Sequence, residues 1–284
     1  MPAGLGESMI FLVRTIAGAL GLAALVAAGV SAWAGESKWS DSGKARVRLI
    51  AAGAAAPAAP IRAGIEIRLA RGWHTYWRYA GDAGIPPRFD WSHSTNLARA
   101  EILWPAPQRI ALEDGIESIG YNDSVLLPVH LTPRDPAKPI GLHLRIDFGI
   151  CEKICIPASA EAALEIAPGA GLSLPSLDRA EAQVPVKSEI GTGSRPGIAA
   201  VALQHGGTAV TVDVDVPAGK SFDLFADDPA DGWSPPLPKR KSFKNGRARF
   251  VITLGERGAI PPVKNLRLTL VSGEESIEVV APLD

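Results

Sequence analysis

Twenty-four prolines and twenty-nine glycines are scattered along this chain of 284 residues. Proline removes a backbone donor and crowds the preceding turn, and glycine weakens a helix interior, so this punctuation argues against long helices. Between the breaks the residues alternate. Ile65-Glu66-Ile67-Arg68-Leu69 and Leu142-His143-Leu144-Arg145-Ile146-Asp147-Phe148 have the period of two expected of half-buried strands. Further strands are predicted at Ala45–Ala51, Ile61–Leu69, Ala100–Trp104, Ser124–Leu131, Ile140–Phe148 and Ala162–Ile166. A second set is predicted at Ala199–Leu203, Ala209–Val216, Ser221–Ala226, Arg247–Leu254, Leu266–Val271 and Ser276–Val280. Short strands at this spacing predict an all-β chain with two immunoglobulin-like β-sandwich domains.

Arg14 precedes an uncharged run from Thr15 to Val30, and Ala32-Trp33-Ala34 follows with an A-x-A pattern. Residues 1–34 therefore read as a signal peptide cleaved near Ala34/Gly35, which predicts a periplasmic protein. The apolar run of about 16 residues is short for a membrane span, so no stable membrane insertion is expected. Removing the leader leaves roughly 250 residues, enough for two domains of ordinary size. Between Pro168 and Gly197 the alternation gives way to Pro, Gly and Ser, with one short helix predicted around Leu177–Gln183. The expected organisation is a first sandwich at 35–168, a linker at 169–196 and a second sandwich at 197–284. All strands that frame the cysteine pair discussed next lie before Pro168, which predicts a pair that works without the second sandwich. Basic and acidic residues number 29 and 30, a balance that gives no support to nucleic-acid binding. The Lys239-Arg240-Lys241 run reads as a solvated turn.

The chain has two cysteines, Cys151 and Cys155, separated by Glu152-Lys153-Ile154. If Leu142–Ile150 is one strand and Ile156–Ile166 leads into the next, these three residues form a hairpin connection and the cysteines face each other across it. Opposed Cα atoms in an antiparallel pair lie about 4.5–5.5 Å apart, within the range of a disulfide. Exported proteins meet oxidants, so the pair is expected to oxidise. A hairpin staple closing so short a loop stabilises by only about 2 kcal/mol, whereas an exposed tip suits thiol exchange. Two thiolates are also Cu(I) ligands, with His130 or His143 as further donors, which leaves open a copper-binding or assembly-chaperone module with a merely structural disulfide. Both methionines lie in or before the leader, so no thioether ligand follows it. The five histidines read as surface or packing residues, and no resident metal or cofactor is expected. Neither a Ser-His-Asp set, a Gly-rich phosphate loop nor an H-E-x-x-H motif appears. Lys153 favours a thiolate beside it and Glu152 opposes one. The aromatic cluster Trp73, Tyr76, Trp77 and Tyr79 reads as sandwich core, or in part as a wall of the cysteine site.

Three stretches resemble a known family. They are Gly72-Trp73-His74-Thr75-Tyr76-Trp77-Arg78-Tyr79 with Gly81-Asp82-Ala83-Gly84-Ile85-Pro86-Pro87, then Ile119-Gly120-Tyr121 followed by Val125-Leu126-Leu127-Pro128-Val129, and finally Phe148-Gly149-Ile150-Cys151-Glu152-Lys153-Ile154-Cys155-Ile156-Pro157. In order and spacing, residues 45–166 resemble the N-terminal periplasmic domain of the thiol:disulfide interchange proteins that include DsbD and the copper-suppressor protein ScsB. The resemblance implies an immunoglobulin-like carrier of reducing equivalents, a protein-disulfide reductase-type activity without bound cofactor. Its Cys151/Cys155 pair would be reduced by a membrane-embedded thiol electron transporter and would reduce periplasmic thioredoxin-like proteins. The chain ends after the second sandwich, so the reductant is expected to be a separate polypeptide. The family shields its pair with a cap loop; Glu117–Asn122 is the expected counterpart here, with Glu117, Ile119, Gly120, Tyr121 and Tyr76 as loop or site wall. The resemblance further implies that Cys155 attacks and Cys151 resolves.

Overall fold

Strands form wherever the sequence alternates, and also in places where it does not. The computed structural model describes residues 35–54, 59–112, 115–169, 171, 174–204, 206–230, 235–255 and 264–283. The expected signal peptide lies outside them.

The first eleven strands build two facing sheets. In chain order they are β1 (Ser40–Ser42), β2 (Ala45–Ala54), β3 (Ile61–Leu69), β4 (His74–Gly81), β5 (Arg88–Asp90) and β6 (Leu97–Ile102). There follow β7 (Gln108–Ala111), β8 (Glu117–Asn122), β9 (Ser124–Pro133), β10 (Ile140–Cys151) and β11 (Cys155–Ile166). One sheet has the order β1-β2-β3-β9-β6; the other runs β11-β10-β4-β8-β7, with β5 also paired to β10. Along β10 the residues Leu142, Leu144, Ile146, Phe148 and Ile150 are buried, while His143, Arg145 and Asp147 are exposed. This is the alternation read from sequence, and it packs β10 against a core that includes Leu49, Ile65, Trp77, Ile119 and Leu127.

The remaining elements are α1 (Pro175–Ala182), β12 (Val186–Lys187), β13 (Gly197–Gln204), β14 (Ala209–Asp215) and β15 (Phe222–Asp227). Then come β16 (Lys239–Lys244), β17 (Arg247–Thr253), β18 (Asn265–Ser272) and β19 (Glu275–Pro282). They form the sheets β12-β19-β18-β15 and β13-β14-β17-β16 around a second apolar cluster of Val210, Val212, Leu224, Phe250 and Leu268. Among the described residues the chain is all-β apart from α1, with immunoglobulin-like layering. Lys239-Arg240-Lys241 opens the edge strand β16 rather than making a turn; every residue of that strand is exposed. A row of cations on an open edge discourages pairing with another chain.

The stretch expected to be a plain linker is packed. Leu177 of α1 is fully buried, Arg62 of β3 pairs with Asp178 and Glu181, and β12 joins β19 in parallel.

Strand β4 is tied to the second set of sheets through Trp77, Arg78 and Tyr79. Phe225 and Leu237 belong to the same buried cluster as Trp77, and the rings of Trp77 and Phe225 meet edge to face at 6.0 Å. Arg78 pairs with Asp227 at 3.0 Å and with Glu278 at 2.7 Å, and the Tyr79 hydroxyl donates to the Pro235 carbonyl. Arg109 of β7 reaches Asp223 of β15 at 2.8 Å. The contact between the two halves is closer than the placement of the strands before Pro168 predicts.

Candidate redox site

The even-numbered residues of β10 face the core, so Gly149 and Cys151 fall on the opposite face of the sheet. Strands β10 and β11 pair without a register break from Ile140↔Ile166 to Cys151↔Cys155. The cysteines are therefore the last opposed pair of the ladder. Their Cα atoms are 4.2 Å apart and a disulfide joins them, with Glu152, Lys153 and Ile154 exposed across the turn. The two sulfurs have different surroundings, since Cys151 is 1 % exposed and Cys155 is open to solvent.

On its other side, β10 pairs with β4 through Ile150↔Thr75 and Cys151↔His74. Paired residues share a face, so His74 and Tyr76 lie on the cysteine side while Thr75 and Trp77 turn to the core. The Thr75 hydroxyl donates to the Gly149 carbonyl at 2.8 Å and locks the two strands together. The Tyr76 ring occupies a slot between two glycines. A Cβ at Gly149 would stand 2.7 Å from the ring, and one at Gly84, whose φ is +142°, would stand 2.2 Å from it. Laid in this slot, Tyr76 donates its hydroxyl to Cys155 Sγ at 2.9 Å. Burial pushes the phenol up to about 12, so it remains a donor throughout the neutral range. His74 is 3 % exposed, stands edge-on to Tyr76 at 5.5 Å, and its Nε2 has no hydrogen-bond partner. Burial holds its imidazole below the ordinary histidine value.

The segment expected to be a cap loop, Glu117–Asn122, is strand β8, paired with β4 and β7. Ile119 and Tyr121 are core residues, and the Tyr121 hydroxyl donates to the Pro105 carbonyl at 2.8 Å. Gly120 lies opposite Tyr76 in the ladder, and Glu117 pairs with Arg109 at 2.8 Å. Both faces of this strand are covered, so its residues do not alternate and read as a loop. The segment that lies over Tyr76 is instead 82–87. The Asp82 amide donates to the Glu117 carbonyl, the Ser118 hydroxyl donates to the Ala83 carbonyl, and the Gly149 amide donates to the Ile85 carbonyl. Of the predicted modulators, Lys153 is exposed on the turn, and the Glu152 carboxylate folds back toward Gly72. Ile154 and Ile156, exposed to 75 % and 39 %, flank Cys155 with apolar surface.

The geometry brings Cys151, Cys155 and Tyr76 together, sets His74 and the 82–87 segment beside them, and places Ile119 and Tyr121 in the core. His74 stands in the Gly72–Tyr79 stretch that carries the family resemblance, but its place beside Cys151 needs the β4–β10 register. Among the described residues, no group of three or more His, Cys, Asp or Glu side chains is placed to hold a metal ion.

A disulfide at the end of a hairpin, one cysteine open and the other enclosed, on an immunoglobulin-like sandwich is an arrangement suited to thiol:disulfide interchange. Residues 46–166 match the family described as thiol:disulfide interchange protein DsbD, N-terminal. The whole fold is similar to the crystal structure of the N-terminal periplasmic domain of ScsB from Proteus mirabilis. The TM-score is 0.67 at 20 % identity, over 88 % of this chain and 98 % of that one. A search of curated proteins found no match. No helix among the described residues is long and apolar enough to cross a membrane.

Proposed function

We propose that the protein is a periplasmic carrier of reducing equivalents. Its Cys151/Cys155 pair accepts electrons from a membrane-embedded thiol transporter and delivers them to periplasmic thioredoxin-like proteins. The observation that carries this reading is the asymmetry of the pair. Thiol exchange needs one sulfur within reach of a partner and a second that attacks only after the partner is joined. Exposed Cys155 suits the first role and enclosed Cys151 the second. A staple would need neither the exposure nor the tyrosine hydroxyl aimed at Cys155.

The test is covalent capture. Cys151→Ser should accumulate a mixed disulfide with a thioredoxin-like protein in the native periplasm, visible on a non-reducing gel and lost on reduction. Cys155→Ser should trap far less. Capture by neither variant, together with a double variant that folds and loses about 2 kcal/mol of stability, would leave the disulfide a staple.

A further inference from the structure

We propose, resting on the exchange reading above, that His74 is the proton acceptor for Cys151 when that thiol closes the disulfide. Three buried side-chain polar atoms among the described residues lack a hydrogen-bond partner: His74 Nε2, Trp77 Nε1 and Ser272 Oγ. Buried polar atoms are seldom left unpaired, so each calls for a reason. Trp77 sits on the core face of β4 and Ser272 at the end of β18; His74 alone is beside the cysteines, paired residue to residue with Cys151 on one face of the sheet.

Cys151 needs such a neighbour. Only the thiolate attacks, and burial among apolar groups disfavours it. Cys155 is open to solvent and can lose its proton there, whereas Cys151 is enclosed by Tyr76, Ala80 and the hairpin. In the dithiol form, the Cys155 thiolate attacks the partner's disulfide and bonds to one partner sulfur. The other partner sulfur departs as a thiolate and is protonated from solvent. The Cys151 proton then passes to His74 Nε2, and the freed electron pair forms the Cys151–Cys155 bond. The bond from Cys155 to the partner breaks, and that second sulfur leaves with its electrons and takes the proton from the imidazolium. The partner has gained two electrons, the pair has lost two, and His74 is neutral again.

The acceptor must start neutral, and the burial that holds His74 below its ordinary value keeps it so. Tyr76 stands edge-on to His74, the Glu152 carboxylate folds back toward Gly72, and Lys153 is exposed on the hairpin. Asp123 follows β8 with its amide donating to the Trp73 carbonyl. The other titratable or charged side chains of the strands paired here, Arg78 and Tyr79 of β4, Glu117 and Tyr121 of β8, and His143, Arg145 and Asp147 of β10, lie further along them. Asn122, opposite His74 on β8, is uncharged.

The test separates the two steps. The reduced full chain is mixed in a stopped-flow cell with a limiting amount of dithiobis(nitrobenzoate), whose thiolate is coloured. The first release depends on reagent concentration and reports attack by the exposed sulfur; the second is unimolecular and reports closure by Cys151. His74→Gln should slow the second phase by on the order of a hundredfold and leave the first within about twofold. Its second phase should rise in proportion to hydroxide where the native rate is level. Imidazole in the buffer should partly restore closure in His74→Ala, which a packing defect alone would not permit. A second phase within about threefold of native, or equal slowing of both phases, overturns the proposal. If the variants do not fold, the native protein decides. A closure rate proportional to hydroxide from about pH 5 to 8, without a plateau, excludes a histidine acceptor. Partner capture by Cys151→Ser is a separate readout, so the exchange reading and the role of His74 can fail independently.

Discussion

The hydroxyl of Tyr76 lies 2.9 Å from Cys155 Sγ, held there by a ring wedged between Gly84 and Gly149. The contact joins the exposed sulfur to a strand that meets the second set of sheets through Trp77, Arg78 and Tyr79.

Tyr76→Phe keeps the ring and removes the donor. A hydrogen bond to sulfur favours the thiolate over the disulfide, so its loss should make the pair harder to reduce. The expected change is roughly 1 kcal/mol, or a potential lower by about 20 mV for a two-electron couple. Equilibration with glutathione measures it. An unchanged potential would show that the contact has no energetic weight.

Gly149→Ala should reproduce that shift by a different route. The added methyl meets the Tyr76 ring at 2.7 Å and Ile85 Cβ at 2.9 Å, so the ring must move and its hydroxyl with it. Overpacking of this kind costs about 1–3 kcal/mol, read as a lower urea midpoint. A variant as stable as the native chain would mean that the slot is looser than the distances indicate.

Alkali should unfold the protein through its phenols. All three tyrosines are raised by burial, Tyr76 and Tyr79 to about 12 and Tyr121 well above the ordinary value. In the unfolded chain they ionise near 10. The folded state therefore holds more protons above that point, and stability present below pH 10 is lost as pH rises from about 10 to 12. Each phenol contributes roughly 1.4 kcal/mol per pH unit. Denaturant melts across this window should steepen accordingly, and tyrosinate absorbance should appear only with unfolding. Tyrosinate forming at pH 10 in the folded state would contradict the burial.

Arg78→Met should loosen the contact between the two sets of sheets. It leaves Asp227, 4 % exposed, with Arg267 alone and strips Glu278 of its partner. Breaking a buried pair on one side costs about 3–5 kcal/mol. Because Arg78 is two residues from Tyr76, the potential of the disulfide should move as well. Loss of stability with no change in potential would restore the independence of the pair that the strand order suggests.

Half-buried strands were legible in the sequence because one face of each meets water. The predicted strand at Ile61–Leu69 coincides with β3, and the clean alternation of Leu142–Phe148 lies within β10. Strands β4 and β8 were not legible, for the opposite reason. His74 through Tyr79 and Ser118 through Tyr121 are covered on both sides, so neither run alternates polar with apolar residues. The hairpin and its opposed cysteines followed from Leu142–Ile150 and the three-residue spacing alone. Tyr76 beside Cys155 and His74 beside Cys151 depend on how β4 registers against β10, a long-range pairing that no local pattern encodes.

The ladder that brings Cys151 opposite Cys155 has a consequence for traffic. Eleven residue pairs, from Ile140↔Ile166 to Ile150↔Ile156, precede the cysteines in the ladder and hold the two strand ends side by side. The backbone ladder therefore positions the two strand ends whether or not the sulfurs are joined, and on the exchange reading proposed above a partner would meet one docking outline in both redox states.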